Sequence, residues 1–196
     1  YKSSILDLDN YFEESYLSAP KFLSQRSAII IFTGKSSADL FLQSEIDSLT
    51  GYINNGGKLF FTGQDLAQNL QASYPDFLNN VIGVAWTRNK FSRHAYGEDG
   101  DKFGDQFEDI RFNGTDGANN QNSADVIEST GLFNTSLDYG DGITPAGGWI
   151  TKPNDGKIFF LGFGFEAINN IESTISRTNI LRSIFNWFGV VTDIGN

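Results

Sequence analysis

The chain has 196 residues with a formal net charge of -10, and its 14 basic residues are scattered along the sequence. This pattern argues against nucleic-acid binding, which depends on clustered Lys and Arg. Cysteine is absent, which excludes disulfides, a cysteine nucleophile and thiolate metal sites. The apolar runs are too short for a bilayer span. Methionine is absent too, so we expect a piece of a longer protein, and residues 1–196 are expected to form a single domain.

The first third of the chain alternates predicted helices and strands. Residues 1–12 carry apolar side chains at helical spacing, which predicts a helix at the start. The apolar, β-branched run 28–32 predicts a strand buried on both faces, as in a parallel sheet. A helix is predicted over about 43–55 with Ser44 as its N-cap. The run 58–62 predicts the central strand.

The middle of the chain is less regular. Short helices are predicted at 65–71 and 75–80, and a short strand at 81–86. Residues 87–125 are rich in Gly, Asn and Asp with single apolar residues, so we expect loops there apart from an edge strand at 107–112. A long irregular stretch inside a compact domain is usually functional or mobile.

The last part of the chain returns to regular patterns. A strand is predicted at 148–151 and a hairpin turn at 153–156. The apolar run 157–161 predicts another buried strand. A helix over about 172–188 presents a broad apolar face, and Gly189 is expected to end it.

These elements predict an α/β fold. The sheet is expected to be open and mostly parallel, with helices on both faces in three layers and an irregular or β excursion around 87–147. Ligands of such sheets bind in a crevice beyond the carboxyl ends of the strands. The residues that should line this crevice follow predicted strands, and they are Gly34, Gly63, Gln64, Asp65, Gly164 and Glu166.

Three segments together resemble a known family. They are FTGQDLAQ at 61–68, FGFE at 163–166 and RSIFNWF at 182–188. Their order and spacing resemble the class I glutamine amidotransferase-like fold, which is flavodoxin-like. The resemblance is greatest to its ThuA-related forms, which occur as accessory domains in exported multidomain bacterial proteins. It covers most of the chain from residue 28 onward.

The resemblance also implies that the usual catalytic residues are missing. Aligning Gln68 with the family's glutamine places Gln64 at the position of the nucleophilic Cys, and Leu66 replaces the second glycine of the motif. Glu166 matches the family's glutamate, whereas Gly164 stands at the position of the His. A nucleophile needs a paired base, so glutamine hydrolysis by the usual route is not expected.

Three polar residues each allow a functional and a structural interpretation. Asp65 is placed to act on a ligand or metal, but the structural alternative is an N-cap for the next helix. Glu166 is a candidate acid or base, and the alternative is that it accepts backbone N–H bonds. His94 is the only histidine and a candidate for acid–base work, although its spacing identifies no partner.

An acidic, Gly-rich loop contains Asp99, Asp101 and Asp105. Oxygen ligands of this kind suit Ca2+. The calcium-loop pattern fails further on, because Phe103 fills a ligand position and Ile110 stands where the closing Glu should be. A solvated acidic loop without a cofactor is therefore the favoured interpretation.

The leading hypothesis is a non-catalytic accessory module of a larger exported or surface protein, located outside the cell. It would pack against neighbouring domains of the same chain or bind a ligand such as a carbohydrate or peptide. The alternatives are a carboxylate-dependent, sugar-directed hydrolase or isomerase of ThuA-like type and a Ca2+-stabilised adhesion module.

Overall fold

The computed structural model describes residues 6–7 and 20–190. Leu6–Asp7 form a short strand, β1, so the predicted helix over 1–12 is wrong at these two residues, and the rest of it lies outside the described residues. None of the described helices combines the length and apolar character that crossing a membrane would require.

One sheet of eight strands organises the described part of the chain. In chain order its strands are β1, β2 (Ile29–Phe32), β3 (Lys58–Thr62), β5 (His94–Gly97), β6 (Asp109–Arg111), β8 (Asn134–Asp138), β9 (Pro145–Thr151) and β10 (Lys157–Leu161). Their order across the sheet is β1-β2-β3-β10-β9-β8-β5-β6. The remaining strands, β4 (Val84–Lys90) and β7 (Ala124–Ser129), form a separate antiparallel pair.

The prediction of a mostly parallel sheet is wrong, because the sheet is mixed. The strands β1, β2, β3 and β10 are parallel to one another. From β10 outward every pairing is antiparallel. The loops that join β8 to β9 and β9 to β10 are too short for the crossover that a parallel pair needs. The excursion around 87–147 thus supplies most of the antiparallel half of the main sheet.

The α-helices are α1 (Pro20–Leu23), α2 (Gln43–Asn54), α3 (Leu66–Ser73), α4 (Gly104–Phe107) and α5 (Arg177–Phe188), with a π-helix at Phe77–Ile82. The predicted N-cap of α2 and the predicted start of α5 are wrong. Leu42, not Ser44, is the N-cap of α2, and the Glu45 carboxylate accepts its backbone N–H at 2.7 Å. The helix α5 begins at Arg177 with Ser176 as its N-cap, because residues before it bond to the edge of β6.

The core has two apolar clusters because successive residues of a strand point to opposite faces of the sheet. Phe61 lies in the cluster that contains Leu49 of α2. Phe60 lies in the other cluster, with Ile184 of α5. Helix α2 therefore contributes to one cluster and helix α5 to the other.

Candidate functional site

The carboxyl ends of β2, β3 and β10 meet at one edge of the parallel half of the sheet, where the sequence predicts the crevice. The Gly34 carbonyl accepts the backbone N–H of Gln64 at 3.2 Å, so the two strand ends are tied together. A Cβ atom on Gly63 would overlap the hydroxyl of Thr33. Only glycine allows this approach of the two strand ends.

Gln64 is enclosed rather than open to the crevice. Its side chain is buried, and its Oε1 accepts hydrogen bonds from Gln121 Nε2 at 3.1 Å and from the backbone N–H groups of Asn122 at 2.9 Å and Ser123 at 3.1 Å. The segment 121–123 therefore covers the position that the resemblance assigns to a nucleophile. Nothing in the polar composition of this segment links it to β3, so its contact with Gln64 could not be predicted from the sequence.

Asp65 follows Gln64 in a left-handed backbone conformation, with φ at 57°. Its Oδ1 accepts from the Asn89 side-chain amide at 2.8 Å and from the Ser123 hydroxyl at 2.5 Å. Asp65 occupies the N-cap position of α3, as the structural alternative expects, but its side chain accepts no N–H bond there, so the predicted capping bond is wrong. The carboxylate instead joins β4 and the 121–123 segment to the end of β3.

Asp125 of β7 caps α3 in place of Asp65. Its Oδ2 accepts the N–H of Ala67 at 2.7 Å, and its Oδ1 accepts the N–H of Gln68 at 3.3 Å. Its side chain is fully buried, and this burial raises the pKa of the Asp125 carboxyl to about 8. The hydrogen bonds from the helix N–H groups lower this pKa, but their effect is smaller than that of burial. The negative charge of Asp65 adds to the rise. A single carboxylate between the apolar residues of the sequence ADVI is the signal that could have identified it.

Glu166 lies beside the end of β10, where Gly164 stands at the family's His position. Its Oε1 accepts from the Asn120 side-chain amide at 2.9 Å, and the alternative of backbone N–H donors is wrong. Its Oε2 is buried and has no partner among the described residues. A Cβ on Gly164 would overlap the Glu166 carboxylate, so a side chain at this position would require the Glu166 side chain to move. The Gly164 N–H donates to Gln121 Oε1 at 2.6 Å, which ties the same covering segment to β10.

His94 lies in the antiparallel half of the sheet, on β5. Its Nδ1 is 3.1 Å from Asp109 Oδ1 and 3.2 Å from the Tyr96 hydroxyl. Both contacts are made by the same ring nitrogen, and the tautomer of His94 determines whether that nitrogen donates or accepts. Arg111 also contacts Asp109, with Nε 3.2 Å from Oδ2. The hydrogen bonds of His94 therefore form a different network from those of Asp65 and Glu166.

The acidic loop is organised by its own hydrogen bonds. The Asp101 carboxylate accepts from the N–H groups of Phe103 and Gly104 and from the indole N–H of Trp149. Asp105 Oδ1 accepts the N–H of Gly100 at 2.7 Å. Within residues 20–190 no group of three or more His, Cys, Asp or Glu side chains is arranged to hold a metal ion. Calcium binding stays the alternative to a loop without a cofactor, and comparing melting temperatures in Ca2+ and in chelator tests it.

Comparison with known proteins gives a fold but no family. No family model matches the chain, and no curated protein matches it. The fold is similar to that of the mmIFT52 N-terminal domain, with a TM-score of 0.59 and 14% identity over 91% of this chain and 84% of that one. It is also similar to a putative ThuA-like protein from Bacteroides uniformis, with a TM-score of 0.57 and 14% identity over 93% of this chain and 78% of that one. The ThuA-like neighbour supports an α/β fold of the class that the three sequence segments indicate.

Proposed function

We propose that the chain is a non-catalytic accessory module of a larger exported or surface protein. It serves interdomain packing or the binding of a ligand such as a glycan at the crevice. The observation that carries the proposal is the enclosure of Gln64, whose side-chain oxygen accepts from three donors where a nucleophile would stand. An amide has no nucleophilic thiol or hydroxyl, and no histidine lies among its partners, so covalent catalysis at this position lacks both of its components.

The start of α3 supports the same proposal. A helix N-terminus that follows a strand end stabilises negative charge, including the charge that develops during acyl transfer. Asp125 already accepts two of the N–H groups there. An anionic intermediate would have to compete with this buried carboxyl for the N–H groups, so we assign a structural role to the start of α3.

One structural neighbour supports a role as part of a longer chain. The mmIFT52 fragment is, by its description, an N-terminal domain, so a fold similar to this one occurs there as one segment of a larger protein. For the present chain the proposed partners are neighbouring domains of the same protein, or a carbohydrate or peptide at the crevice.

Assays with the purified chain test the proposal. We expect no ammonia release from glutamine and no hydrolysis of a panel of chromogenic glycosides above the buffer blank. The matched variants Asp65→Asn and Glu166→Gln keep the size of the two crevice carboxylates and remove their charge. Turnover by the native chain that either variant abolishes would overturn the proposal. On a glycan array, binding that Asp65→Asn removes would assign the crevice to a glycan, and its absence would leave interdomain packing.

One observation favours the alternative of a carboxylate-dependent hydrolase or isomerase. Asp65 and Asp125 lie close enough for the charge of one to raise the pKa of the other. Paired carboxylates in unlike environments are typical of acid–base catalysis. Asp125 is fully buried, however, and its carboxylate oxygens are engaged by the helix. Sugar turnover lost on Asp125→Asn in a variant of native stability would favour the enzyme.

A further inference from the structure

A concavity lies in the antiparallel half of the sheet, away from the edge where β2, β3 and β10 end. It has a volume of about 340 Å3 and is lined by Tyr96, Gly97, Glu98, Asp138, Gly140 and Gly142. We call it the Tyr96 pocket. Tyr96 of β5 pairs with Asp138 of β8, so the pocket is built across two adjacent strands and the loops that leave them. Its volume is within the range of small-molecule sites.

An aromatic ring forms one wall of the Tyr96 pocket. Tyr96 is 39% exposed, which is high for a large side chain on a paired strand. Its ring stacks on that of His94, with centroids 5.5 Å apart and planes 6° from parallel, and such offset pairs hold a ring in place. A Cβ on Gly140 would lie 2.7 Å from the Tyr96 ring, so glycine lets the loop approach its edge.

The two carboxylates of the pocket have different roles. Asp138 holds the loop, because its Oδ1 accepts from the N–H groups of residues 140, 141 and 142 and its Oδ2 accepts from that of Thr144. The Glu98 carboxylate forms no hydrogen bond or salt bridge with a described residue. Burial raises the pKa of Glu98, and the negative charges of Asp138, Asp99 and Asp101 add to the rise. Glu98 is therefore the acceptor that remains available to a ligand.

This combination selects the chemistry of the ligand. None of the lining side chains carries a positive charge or an amide, so the pocket repels anions and offers few donors to a neutral sugar. An accessible aromatic face attracts cations, and an unpaired carboxylate in a negative surrounding does the same. We propose that the Tyr96 pocket binds an organic ammonium group, with Glu98 as its counter-ion and Tyr96 as its aromatic wall. The ammonium belongs either to a small molecule or to a lysine side chain of a peptide.

The test is a titration of the 15N-labelled chain followed by amide chemical shifts. The probes are choline, its neutral carbon analogue 3,3-dimethylbutan-1-ol, and N-acetyl-lysine methylamide as the peptide source. We expect saturable shifts at the amides of residues 96–98 and 140–142 with the ammonium probes and none with the neutral analogue. Tighter binding of choline would assign a small-molecule ammonium compound, and tighter binding of the lysine derivative would assign a peptide.

Matched variants distinguish binding in the Tyr96 pocket from a general attraction of cations to the acidic chain. Glu98→Gln should weaken binding about tenfold, the loss expected when a close, partly desolvated counter-ion becomes neutral. Glu128→Gln removes the same charge from an exposed position on β7 and should leave the dissociation constant unchanged. Amide spectra of the free variants show that each is folded. Equal shifts with the neutral analogue, equal weakening by the two variants, or no saturable shift with either ammonium would each overturn the proposal.

Discussion

The buried carboxyl of Asp125 should make the folding stability depend on pH. Its pKa rises from 3.8 to about 8 because it is removed from water. When folding raises the pKa of a group, its stabilising effect is complete below the unfolded pKa and is lost as the pH rises through the folded pKa. The contribution of Asp125 to the free energy of unfolding should therefore fall by about 1.4 kcal/mol per pH unit between about pH 4 and pH 8.

The variant Asp125→Asn isolates this effect from the other titrating groups. It cannot ionise, and its amide oxygen can still accept one helix N–H. Relative to the native chain, its free energy of unfolding should rise by about 3–4 kcal/mol from roughly pH 5 to pH 8. Urea unfolding followed by tryptophan fluorescence at the two pH values measures this difference.

Asp76→Asn is the control for Asp125→Asn. Asp76 is exposed, and this variant should follow the pH dependence of the native chain. If Asp125→Asn also followed the native chain, Asp125 would be ionised throughout in the folded protein. The N–H groups of α3 would then outweigh desolvation, and the reasoning would be refuted.

Three further predictions concern the crevice and its neighbours. Gly63→Ala should destabilise the fold by about 1–3 kcal/mol because the new Cβ overlaps Thr33. The control Gly51→Ala, in an open position of α2, should stabilise the fold by about 0.5–1 kcal/mol. Equal effects of the two variants in urea unfolding would contradict this prediction. Gln64→Ala should cost about 2 kcal/mol and speed hydrogen exchange at the two backbone amides that donate to its side chain; unchanged exchange would mean that those amides have other partners. Ser176→Ala should lower stability by about 1 kcal/mol through the lost N-cap, and Ser176→Asn should restore it; equal losses in both variants would exclude a capping role.

The parallel half of the fold was predictable because its strands carry their signal locally. The runs 58–62 and 157–161 each begin with a lysine and continue with consecutive apolar residues, and both are strands with those bounds. The antiparallel half was not, because β5 and β8 are short, β5 contains a glycine, β8 is mostly polar, and the two strands pair across about 40 residues of sequence. Their assignment depends on partners that no local pattern identifies.

The candidate site was also predictable only in the part that depends on local sequence. The turn after β3 follows from a strand that stops at Gly63, and the structure places Gln64 and Asp65 there. The residues that hold them come from distant segments, since Ser123 contacts Asp65 from 58 positions away. The cap of α3 could not be assigned from sequence either, because Asp65 has the residue type and position of an N-cap while Asp125 of another strand makes the bonds.

The outer edge of β6 has a consequence for how the protein associates with other chains. An unpaired edge strand is a template to which a foreign strand can add. At Asp109 both backbone groups are occupied, because its N–H donates to the Thr174 hydroxyl and its carbonyl accepts the Thr174 N–H. At Arg111 the N–H donates to the Ser173 hydroxyl and the carbonyl accepts the Asn169 N–H. A strand of another chain cannot extend the sheet at this edge, or start fibre growth there, unless the segment that precedes α5 is first displaced.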